Sequence, residues 1–574
     1  MTRLYNHPDT FRSEFLLGLT AAFSSHLRPV PGGAGVVSVS APQPGRVGVV
    51  IGGGSGHYPA FAGLVGPGLC DGAVVGEIFT SPSAAAVYDL IVATDSGEGV
   101  LLSFGNYSGD VMHFGLAAQR ARREGHDVRI VLVTDDVASA SPQRTESRRG
   151  VAGGLYVFRA AAGASHAGGD LDEVERVARL ANSRVFTLGL AYGGCTFPGA
   201  EKPLFDVPPR TLALGLGIHG EPGVENVADV SSAEVAELIL SRLLPERPPG
   251  ATRARLLVNG LGATKYEELF VLTGDVLRGL QEAGVDVVDT EVGEFVTSLD
   301  MSGCSVSVMW TLPELDPLLD RATDSPGYRR AGRRAETAVD LRALASLLRP
   351  EPVAPPADVE QSEAARLVAQ ALSAARDAVT GAVHELGRLD AVAGDGDHGL
   401  GMTRGFGAAA LVARSAGPSA GAVLDAAGGA FAEAGGGASG ALWGAGLCAA
   451  GHAAGTGGGA IQAARSAVEA VADLGRAELG DKTVLDALVP FVDTLAGSLD
   501  AGSSLAAAWS EAVDQAERAA QATQALVSRR GRSAVHGEHS IGTPDPGCVS
   551  FVIAVRAAGK VLERAALESP EGSR

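Results

Sequence analysis

The chain of 574 residues is 46% hydrophobic and 20% charged, the composition of a globular protein long enough for two or more domains. Its 46 Lys and Arg against 66 Asp and Glu give a formal net charge of −20, which disfavours binding to nucleic acid or to an anionic membrane surface. Five scattered cysteines without a C-x-x-C pair, no signal-like N-terminus and no apolar run of about 20 residues together predict a cytoplasmic protein without a membrane span.

The first part of the chain alternates strand-like apolar runs with helical segments. Such alternation predicts a mostly parallel sheet with helices on both faces. We expect an α/β domain over residues 1–348, with two α/β subdomains at about 1–200 and 201–348. Ligands bind such sheets at the carboxyl ends of the strands, which is where the glycines of this sequence cluster. The predicted strands lie within residues 46–54, 99–106, 127–136, 210–220, 251–263, 285–295 and 304–312.

A Pro-rich segment, residues 349–360, lacks hydrophobic periodicity and is predicted to be a linker. The sequence after it is rich in alanine, and its apolar residues recur at spacings of three and four, which is typical of one helix face. We therefore predict an all-α helical barrel or bundle over residues 361–574. The clearest face contains Val368, Leu372, Ala375, Val379, Val383 and Leu386.

Two histidines and an aspartate follow predicted strands of the first domain. His57 ends the motif GGGSGH, Asp110 lies in GNYSGD, and His219 lies in GLGIHG, where Glu221 could orient its ring. If the sheet is doubly wound, the three converge on one edge, where they would form a metal site, an acid–base site, or both. The alternative for GGGSGH is a tight turn with an incidental histidine, and GLGIHG alone is a weak match to a dinucleotide-binding motif.

Three carboxylates lie within eight residues of the helical domain, on Asp390, Asp395 and Asp397. Carboxylates this close repel one another unless a cation joins them. The spacing does not fit an EF-hand, because Gly399 and Phe406 stand where that loop needs an oxygen ligand and a glutamate. Magnesium, with phosphate oxygens completing its coordination, is the better interpretation, and a solvated acidic turn is the alternative.

Two further loops of the helical domain are candidates for nucleotide binding. The motif GGGASGALWG (435–444) is a Gly-rich turn between helical stretches; such a turn binds anions through backbone N–H groups, to which Ser439 adds a hydroxyl. Its alternative role is close packing of two helices through small residues. Near the C-terminus, Arg532 and TPDPG (543–547) form a polar loop that could close over a nucleotide.

Taken together, these motifs resemble the dihydroxyacetone kinase family in its two-domain, single-chain, ATP-using form. The resemblance extends over nearly the whole chain, with blocks in the family order. LGLGIHGEPG and the DGDHG block are highly specific, and they stand on opposite sides of the predicted linker. The blocks include NHPD (6–9), GGGSGH (52–57), NYSGDVM (106–112), LGLGIHGEPG (214–223), DAVAGDGDHG (390–399), GGGASGALWG (435–444) and GDKTVLDAL (480–488).

The resemblance implies an ATP-dependent ketose kinase. His219 would add to the carbonyl carbon of the ketose as a hemiaminal, while His57 and Asp110 would act on the hydroxyl that receives the phosphate. The helical domain would bind ATP, with the three aspartates holding two Mg²⁺ ions, and the protein would be a homodimer. The implied ketose-binding residues are Gly54, Ser55, Gly56, Tyr58 and Gly105. The implied nucleotide-binding residues are His398, Gly399, Ser439, Gly440, Arg532, Asp545 and Gly547.

Three departures from the family pattern lie in the predicted ketose domain. Tyr58 and Phe61 stand where the family usually has Glu and His, and Gly105 replaces a Lys. Loss of the lysine side chain is expected to leave room for a longer ketose, with the Tyr58 hydroxyl within reach of the added oxygen. We therefore predict erythrulose as the favoured substrate and dihydroxyacetone as the alternative.

Two other functions are known among proteins that share this pattern. A lyase that cyclises a nucleotide-containing cofactor such as FAD would need only the helical domain and its metal. A non-enzymatic ADP-binding coregulator would need no intact site, so the presence of His57, Asp110, His219 and the three aspartates disfavours it.

Overall fold

A computed structural model of the protein describes residues 4–30, 32–221, 223–228, 230–332, 360–530 and 538–568. The described residues up to 332 belong to one compact unit, and those from 360 onwards belong to a second. Residues 349–359 of the predicted linker lie outside the described residues, so the domain boundaries remain predictions. Within the described ranges, no helix is both long and apolar enough to cross a membrane.

The first unit contains two six-stranded sheets, and its first sheet has the strand order β1-β2-β4-β3-β5-β6. Its strands are Leu27–Pro29 (β1), Gly35–Ser38 (β2), Gly48–Ser55 (β3), Gly72–Ile78 (β4), Val100–Gly105 (β5) and Val128–Val133 (β6). The β4-β3-β5-β6 part is parallel, as predicted, whereas β1 and β2 pair antiparallel at one side. The carboxyl ends of β3 and β5 therefore point to the same edge of the sheet.

The helices of the first unit cover these strands. They are Phe11–Ala22 (α1), Ala84–Thr94 (α2), Ser108–Arg123 (α3), Gly154–His166 (α4), Leu171–Asn182 (α5), Ser232–Leu243 (α6), Tyr266–Glu282 (α7) and Asp316–Leu319 (α8). Side chains of a strand alternate between faces, so Leu102 and Phe104 of β5 pack in the core with Phe114 of α3, while Leu101 packs in the opposite core with Tyr156 of α4. Both faces of the sheet are thus buried, which explains the nearly continuous apolar runs.

The second sheet has the strand order β11-β10-β12-β7-β8-β9. Its strands are Val185–Ala191 (β7), Thr211–Leu214 (β8), Glu225–Ala228 (β9), Arg253–Gly260 (β10), Asp286–Gly293 (β11) and Gly303–Trp310 (β12). Among these strands only β10 and β11 pair in parallel, so the prediction of a mostly parallel sheet is wrong for this half. The reason is that parallel pairing needs a crossover connection, whereas β8 and β9 are joined by a short loop. This sheet also starts before residue 200, at Val185.

The described residues of the second unit are helical, as predicted. The helices are Glu363–Gly381 (α9), Val383–Asp390 (α10), His398–Ala413 (α11), Ala420–Gly435 (α12), Gly437–Gly455 (α13), Ala460–Gly475 (α14), Leu485–Asp500 (α15), Leu505–Ala522 (α16) and Pro546–Glu568 (α17). Leu372, Val379 and Leu386 of the predicted helix face are buried. The helices surround an apolar cavity of about 610 Å³, lined in part by Trp443 and Trp509, which is the arrangement of a barrel.

Candidate active site

His219 lies in the loop between β8 and β9. The loop turns tightly because Gly215 and Gly220 adopt φ values of +75° and +81°, a region that favours glycine. Nδ1 of His219 lies 3.0 Å from Oε1 of Glu221, and its backbone N–H donates to Oε2 of the same carboxylate at 3.0 Å. Burial acts to raise the pKa of Glu221. The hydrogen bond and the charge of His219 act in the opposite direction and outweigh it, so that the pKa is about 2. An ionised carboxylate only accepts, so in the neutral imidazole of His219 Nδ1 carries the proton and Nε2 the lone pair.

His57 follows β3 and is fixed in the same tautomer. Its Nδ1 lies 2.7 Å from the carbonyl oxygen of Thr297, which can only accept, so Nδ1 donates and Nε2 carries the lone pair. Nε2 is buried and has no hydrogen-bond partner among the described residues. Burial, followed by the nearby His219, lowers the pKa of His57 to about 3, so this imidazole is neutral at physiological pH.

The two histidine rings meet inside an aromatic enclosure. The ring centroids of His57 and His219 are 4.8 Å apart, with an angle of 77° between the ring planes. Phe79 stacks on His57 at 4.9 Å with its ring nearly parallel, and Tyr107 contacts His219 edge-on at 4.6 Å. Neither imidazole can rotate freely, because each is held by one hydrogen bond and by an aromatic neighbour.

Asp110 lies in the first turn of α3 and is 6% exposed. Burial raises its pKa to about 6, although a hydrogen bond with Ser81 and the charge of His219 act in the opposite direction. Its Oδ1 has no hydrogen-bond partner among the described residues. Asp110, His57 and His219 line one cavity of about 20 Å³, which holds roughly one water molecule. The structure therefore brings together the three residues whose convergence the sequence predicts.

The glycines of GGGSGH are explained by the close approach of neighbouring backbone and side chains. A Cβ at Gly54 would lie 2.9 Å from the Cα of Phe79, and a Cβ at Gly56 would lie 2.8 Å from its ring. Gly54 lines the cavity, whereas Ser55 and Gly56 do not. The cavity wall is instead formed in part by Phe61, whose ring would lie 2.6 Å from a Cβ at Gly53.

Tyr58 and Gly105 do not play the parts expected from the sequence. The Tyr58 ring packs edge-on against Phe15 at 5.8 Å and is not among the residues that line the cavity. Gly105 does line the cavity, but a Cβ there would lie 2.8 Å from the ring of Tyr107. The Tyr107 hydroxyl donates to the carbonyl of Gly150 at 2.9 Å, which fixes the ring in that position. The expectation that Gly105 leaves free space is therefore wrong, because Tyr107 occupies it.

The three aspartates of the second unit lie around the loop that joins α10 to α11. One carboxylate oxygen from each of Asp390, Asp395 and Asp397 can be chosen so that all three lie within 4.8 Å of one another. The loop is compact because Gly396 adopts φ +79° and because a Cβ at Gly394 would lie 2.5 Å from Oδ1 of Asp390. Three carboxylate oxygens at this spacing are suitable ligands for Mg²⁺.

A cavity of about 490 Å³, a size typical of ligand sites, adjoins these aspartates. Its lining includes Asp390, His398, Ser439, Lys482, Asp545 and Gly547. His398 is held between Ser439, whose Oγ lies 3.2 Å from Nδ1, and Ser550, whose Oγ lies 2.9 Å from Nε2. Burial lowers the pKa of His398. Ser439 lies at the start of α13, so the Gly-rich motif opens a helix beside the cavity, as predicted.

Several of the residues predicted to bind the nucleotide do not line this cavity or lie outside the described residues. A Cβ at Gly399 would lie 2.2 Å from the carbonyl oxygen of Val383, and one at Gly440 would lie 2.9 Å from the carbonyl carbon of Gly435. These two glycines allow helices to pack closely and do not line the cavity. Arg532 lies outside the described residues.

Two residues at this cavity have structural partners that the sequence does not reveal. Asp545 accepts a hydrogen bond from the backbone N–H of Cys548 at 2.8 Å, in the first turn of α17, and burial raises its pKa to about 6. Lys482 was not predicted as a site residue, although it lies in the quoted block GDKTVLDAL. Its Nζ donates to the backbone carbonyls of Leu526, Ser540 and Thr543.

Comparison with known proteins agrees with this arrangement. Residues 17–327, more than half of the chain, match the Dak1 domain, and residues 392–560 match the DAK2 domain. The chain belongs to the dihydroxyacetone kinase family. The predicted fold class, with an α/β unit followed by a helical unit, is thereby confirmed.

The relatives that match this Dak-family chain over nearly its full length include erythrulose kinases. The chain is 47% identical to L-erythrulose 1-kinase of Mycolicibacterium smegmatis over 578 residues, covering 98% of this chain and 100% of that protein. It is 46% identical to D-erythrulose kinase of the same species over 568 residues, covering 97% and 98% of the two chains. The crystal structure of the dihydroxyacetone kinase from C. freundii in complex with AMP-PNP and Mg²⁺ matches with a TM-score of 0.60 and 27% identity, covering 97% and 99%. The expected enzyme class, a ketose kinase, is confirmed.

Proposed function

We propose that this kinase transfers the γ-phosphoryl group of ATP to a terminal hydroxyl of erythrulose, which it captures as a hemiaminal on His219. One observation supports this most strongly. The lone pair on Nε2 of His219, the unpartnered Nε2 of His57 and the unpartnered Oδ1 of Asp110 belong to residues that line the same small cavity. A nucleophile beside two proton acceptors is what carbonyl capture followed by transfer to a hydroxyl requires.

In the capture step, Nε2 of His219 forms a bond to the carbonyl carbon, and the π electrons of the carbonyl move to its oxygen. That oxygen takes one proton and becomes a hydroxyl. Solvent supplies that proton, and the Nδ1 proton of His219, hydrogen-bonded to the Glu221 carboxylate, is returned to solvent, so the adduct is neutral and Glu221 stays ionised. Glycerol and other polyols have no carbonyl group, so they cannot be held in this way.

In the transfer step, a hydroxyl oxygen of the captured ketose forms a bond to the γ-phosphorus, and the bond from that phosphorus to the bridging oxygen of ADP breaks. The pKa of Asp110 is about 6 and that of His57 is about 3, so Asp110 is the stronger base. We therefore assign the hydroxyl proton to Asp110. His57 accepts a hydrogen bond at Nε2 and orients the hydroxyl.

The second unit would bind ATP in the 490 Å³ cavity, beside Ser439 and the start of α13. Asp390, Asp395 and Asp397 would hold two Mg²⁺ ions next to the phosphates. Bound Mg²⁺ would supply positive charge that neutralises the phosphates and stabilises the charge that develops during transfer. We further propose domain limits of 1–348 and 361–574, with residues 349–360 as the linker.

The preference for erythrulose rests on the relatives, since the argument from free space at Gly105 does not hold. The relatives named for the L and for the D enantiomer of erythrulose have nearly equal sequence identity to this chain. The apolar ring of Phe61 at the cavity is compatible with a longer carbon chain, since it offers no polar group that demands a particular hydroxyl.

The test is a panel of substrates, assayed by ADP release with saturating Mg-ATP. The panel contains D-erythrulose, L-erythrulose and dihydroxyacetone, with glycerol as the control that lacks a carbonyl. We expect the highest kcat/KM with one hand of erythrulose and no activity with glycerol. A clear preference for dihydroxyacetone over both erythruloses would contradict the proposed substrate, and rapid phosphorylation of glycerol would contradict the capture mechanism.

A further inference from the structure

A chain of charged side chains leads to Nδ1 of His219. Asp136, just after β6, accepts hydrogen bonds from Nε of Arg149 at 2.9 Å and forms an ion pair with its terminal nitrogen at 2.7 Å. The other terminal nitrogen of Arg149 lies 3.8 Å from Oε2 of Glu221. The opposite oxygen of that carboxylate lies 3.0 Å from Nδ1 of His219. The order of contact is therefore Asp136, Arg149, Glu221 and His219.

The position of Arg149 is fixed by the segment that carries it. Its neighbour Arg148 is fully buried and forms two hydrogen bonds with the carboxylate of Glu246, at 2.7 and 3.2 Å. The backbone N–H of Arg149 donates to the Ser139 hydroxyl at 2.9 Å, and the carbonyl of Arg149 accepts from the N–H of Asp136 at 3.1 Å. Arg149 is thus held by its backbone and its side chain, and it is the arginine of the pair that faces Glu221.

The contact between Glu221 and Arg149 requires a glycine, Gly217, in the loop that carries His219. A Cβ at Gly217 would lie 2.1 Å from Oε2 of Glu221 and 2.7 Å from the terminal nitrogen of Arg149. The space above Gly217 is therefore filled by the meeting of the carboxylate and the guanidinium. This second observation shows that the loop is built around the Glu221–Arg149 pair.

We propose that Arg149, held by Asp136, is a positioning residue that keeps the Glu221 carboxylate ionised and aimed at Nδ1 of His219, so that Nε2 retains its lone pair for the ketose. This inference rests on the proposed capture at His219. The physical basis is that a half-buried carboxylate needs a compensating charge to stay ionised. A protonated Glu221 could donate to Nδ1, and the proton of the imidazole would then move to Nε2, which removes the nucleophile.

Five groups face the Glu221 carboxylate or act on its charge. They are His219, Arg149, Asp136, Tyr107 and His57. Of these, Arg149 carries the permanent positive charge, Asp136 is negative, and Tyr107 and His57 are neutral at physiological pH. Removal of Arg149 should therefore raise the pKa of Glu221 and lower the amount of adduct, while the acidic limb near pH 6, which is assigned to Asp110, stays in place.

The experiment compares Arg149→Met and Arg149→Lys with Arg242→Met in the full chain. Arg242 is an exposed arginine of α6 that pairs at 3.4 Å with Glu225, the first residue of β9, and that forms no ion pair with Glu221 or His219 among the described residues. Erythrulose labelled with ¹³C at the carbonyl carbon is mixed with each protein without ATP. The adduct is measured from the ¹³C signal of the tetrahedral carbon, and kcat/KM is measured against pH.

We expect Arg149→Met to lower kcat/KM for erythrulose by about 10–100-fold, the usual cost of losing a group that orients a reacting residue. Its adduct signal should fall, while its acidic limb near pH 6 and its KM for ATP stay the same. Arg149→Lys, which keeps the charge and the fold but loses the paired hydrogen bonds to Asp136, should show a smaller loss in the same direction. Arg242→Met should match the wild type in every measurement.

Two results separate this inference from the proposed function. If the wild type shows no adduct signal while it phosphorylates erythrulose, the capture at His219 fails and the role of Arg149 fails with it. If the wild type shows the adduct and both Arg149 variants keep its amount unchanged, Arg149 is only structural and the inference is overturned. Should Arg149→Met fail to fold, the amount of adduct formed by Arg149→Lys decides in the same way.

Discussion

The ring centroids of His57 and His219 are 4.8 Å apart with their planes at 77°, and Nδ1 of each ring is hydrogen-bonded to an acceptor, the Thr297 carbonyl for His57 and the Glu221 carboxylate for His219. This relationship fixes both tautomers before any substrate arrives. Under the proposed mechanism, the Nε2 atom of His219 attacks the carbonyl of the ketose and the Nε2 atom of His57 accepts a hydroxyl hydrogen.

The glycine motif beside His57 can be tested by a matched pair of substitutions. Gly56 and Gly97 share φ +98°, but a Cβ at Gly56 would lie 2.8 Å from the Phe79 ring, whereas a Cβ at Gly97 meets nothing within 4 Å. Gly56→Ala should destabilise the protein by about 1–3 kcal/mol more than Gly97→Ala, because the stacked ring must move. Chemical denaturation measures this difference, and equal losses would show that the left-handed backbone alone requires glycine at position 56.

Asp110 should make both activity and stability depend on pH. Its pKa in the folded protein, about 6, is above its ordinary value of 3.8, so folding favours the protonated form. Stability is thus greatest below the ordinary pKa and falls as pH rises to about 6, by up to about 3 kcal/mol. Asp110→Asn should lack this fall in stability with pH. Denaturation experiments at pH 3.5 and pH 7.5, below and above the two pKa values, measure this: the variant should be more stable than the wild type at pH 7.5 but not at pH 3.5.

The same carboxylate should give kcat/KM an acidic limb. Activity of the wild type should rise with pH through about 6, as Asp110 loses its proton. Asp110→Asn should show low activity without that limb. A wild-type profile that is flat across this range would contradict the assignment of Asp110 as the proton acceptor.

A substitution at Gly105 is expected to change the rate of catalysis and not the preference for a shorter or longer ketose. An alanine there would push the Tyr107 ring, which contacts His219 at 4.6 Å. Gly105→Ala should lower kcat/KM for erythrulose and dihydroxyacetone alike, whereas Gly115→Ala, whose Cβ meets nothing within 4 Å, is the control. A selective gain for dihydroxyacetone would restore the argument from free space.

The aspartates of the second unit should act together on Mg²⁺ and nucleotide. Asp395→Asn and Asp397→Asn each remove one ligand charge, so each should weaken the binding of Mg-ATP. Isothermal calorimetry measures the affinity, and Asp473→Asn, a change at an exposed aspartate of the same unit, is the control. Unchanged affinity in both variants would identify the acidic loop as solvated surface.

The sequence predicts the meeting of His57, Asp110 and His219 because strand ends and Gly-rich loops indicate where a sheet presents its residues. It does not predict Phe79, whose φ of +54° turns its ring onto His57, because nothing in the pattern of residues marks a left-handed phenylalanine. For the same reason the sequence does not show that the space beside Gly105 is occupied. The residue that fills its space, Tyr107, is two positions away, and only the backbone shows where its ring lies. Glu221 was predicted correctly as the partner of His219, since its proximity in the chain is enough.

The glycines of the helical unit show a related limit. Gly399 and Gly440 stand in motifs that are typical of phosphate binding, yet both allow close contact between backbone segments. The sequence does not distinguish a glycine that lets a ligand approach the backbone from a glycine that lets another backbone carbonyl approach it. Only the neighbours of the missing Cβ distinguish them.

The most direct test of the account is the activity of His219→Ala towards erythrulose, measured together with its affinity for Mg-ATP. The nucleotide cavity belongs to the second unit, so the affinity for Mg-ATP should be unchanged. We predict that kcat/KM for erythrulose falls by on the order of 10³–10⁴, the usual cost of removing a reacting group. A variant that keeps near-normal kcat/KM would contradict covalent capture at His219.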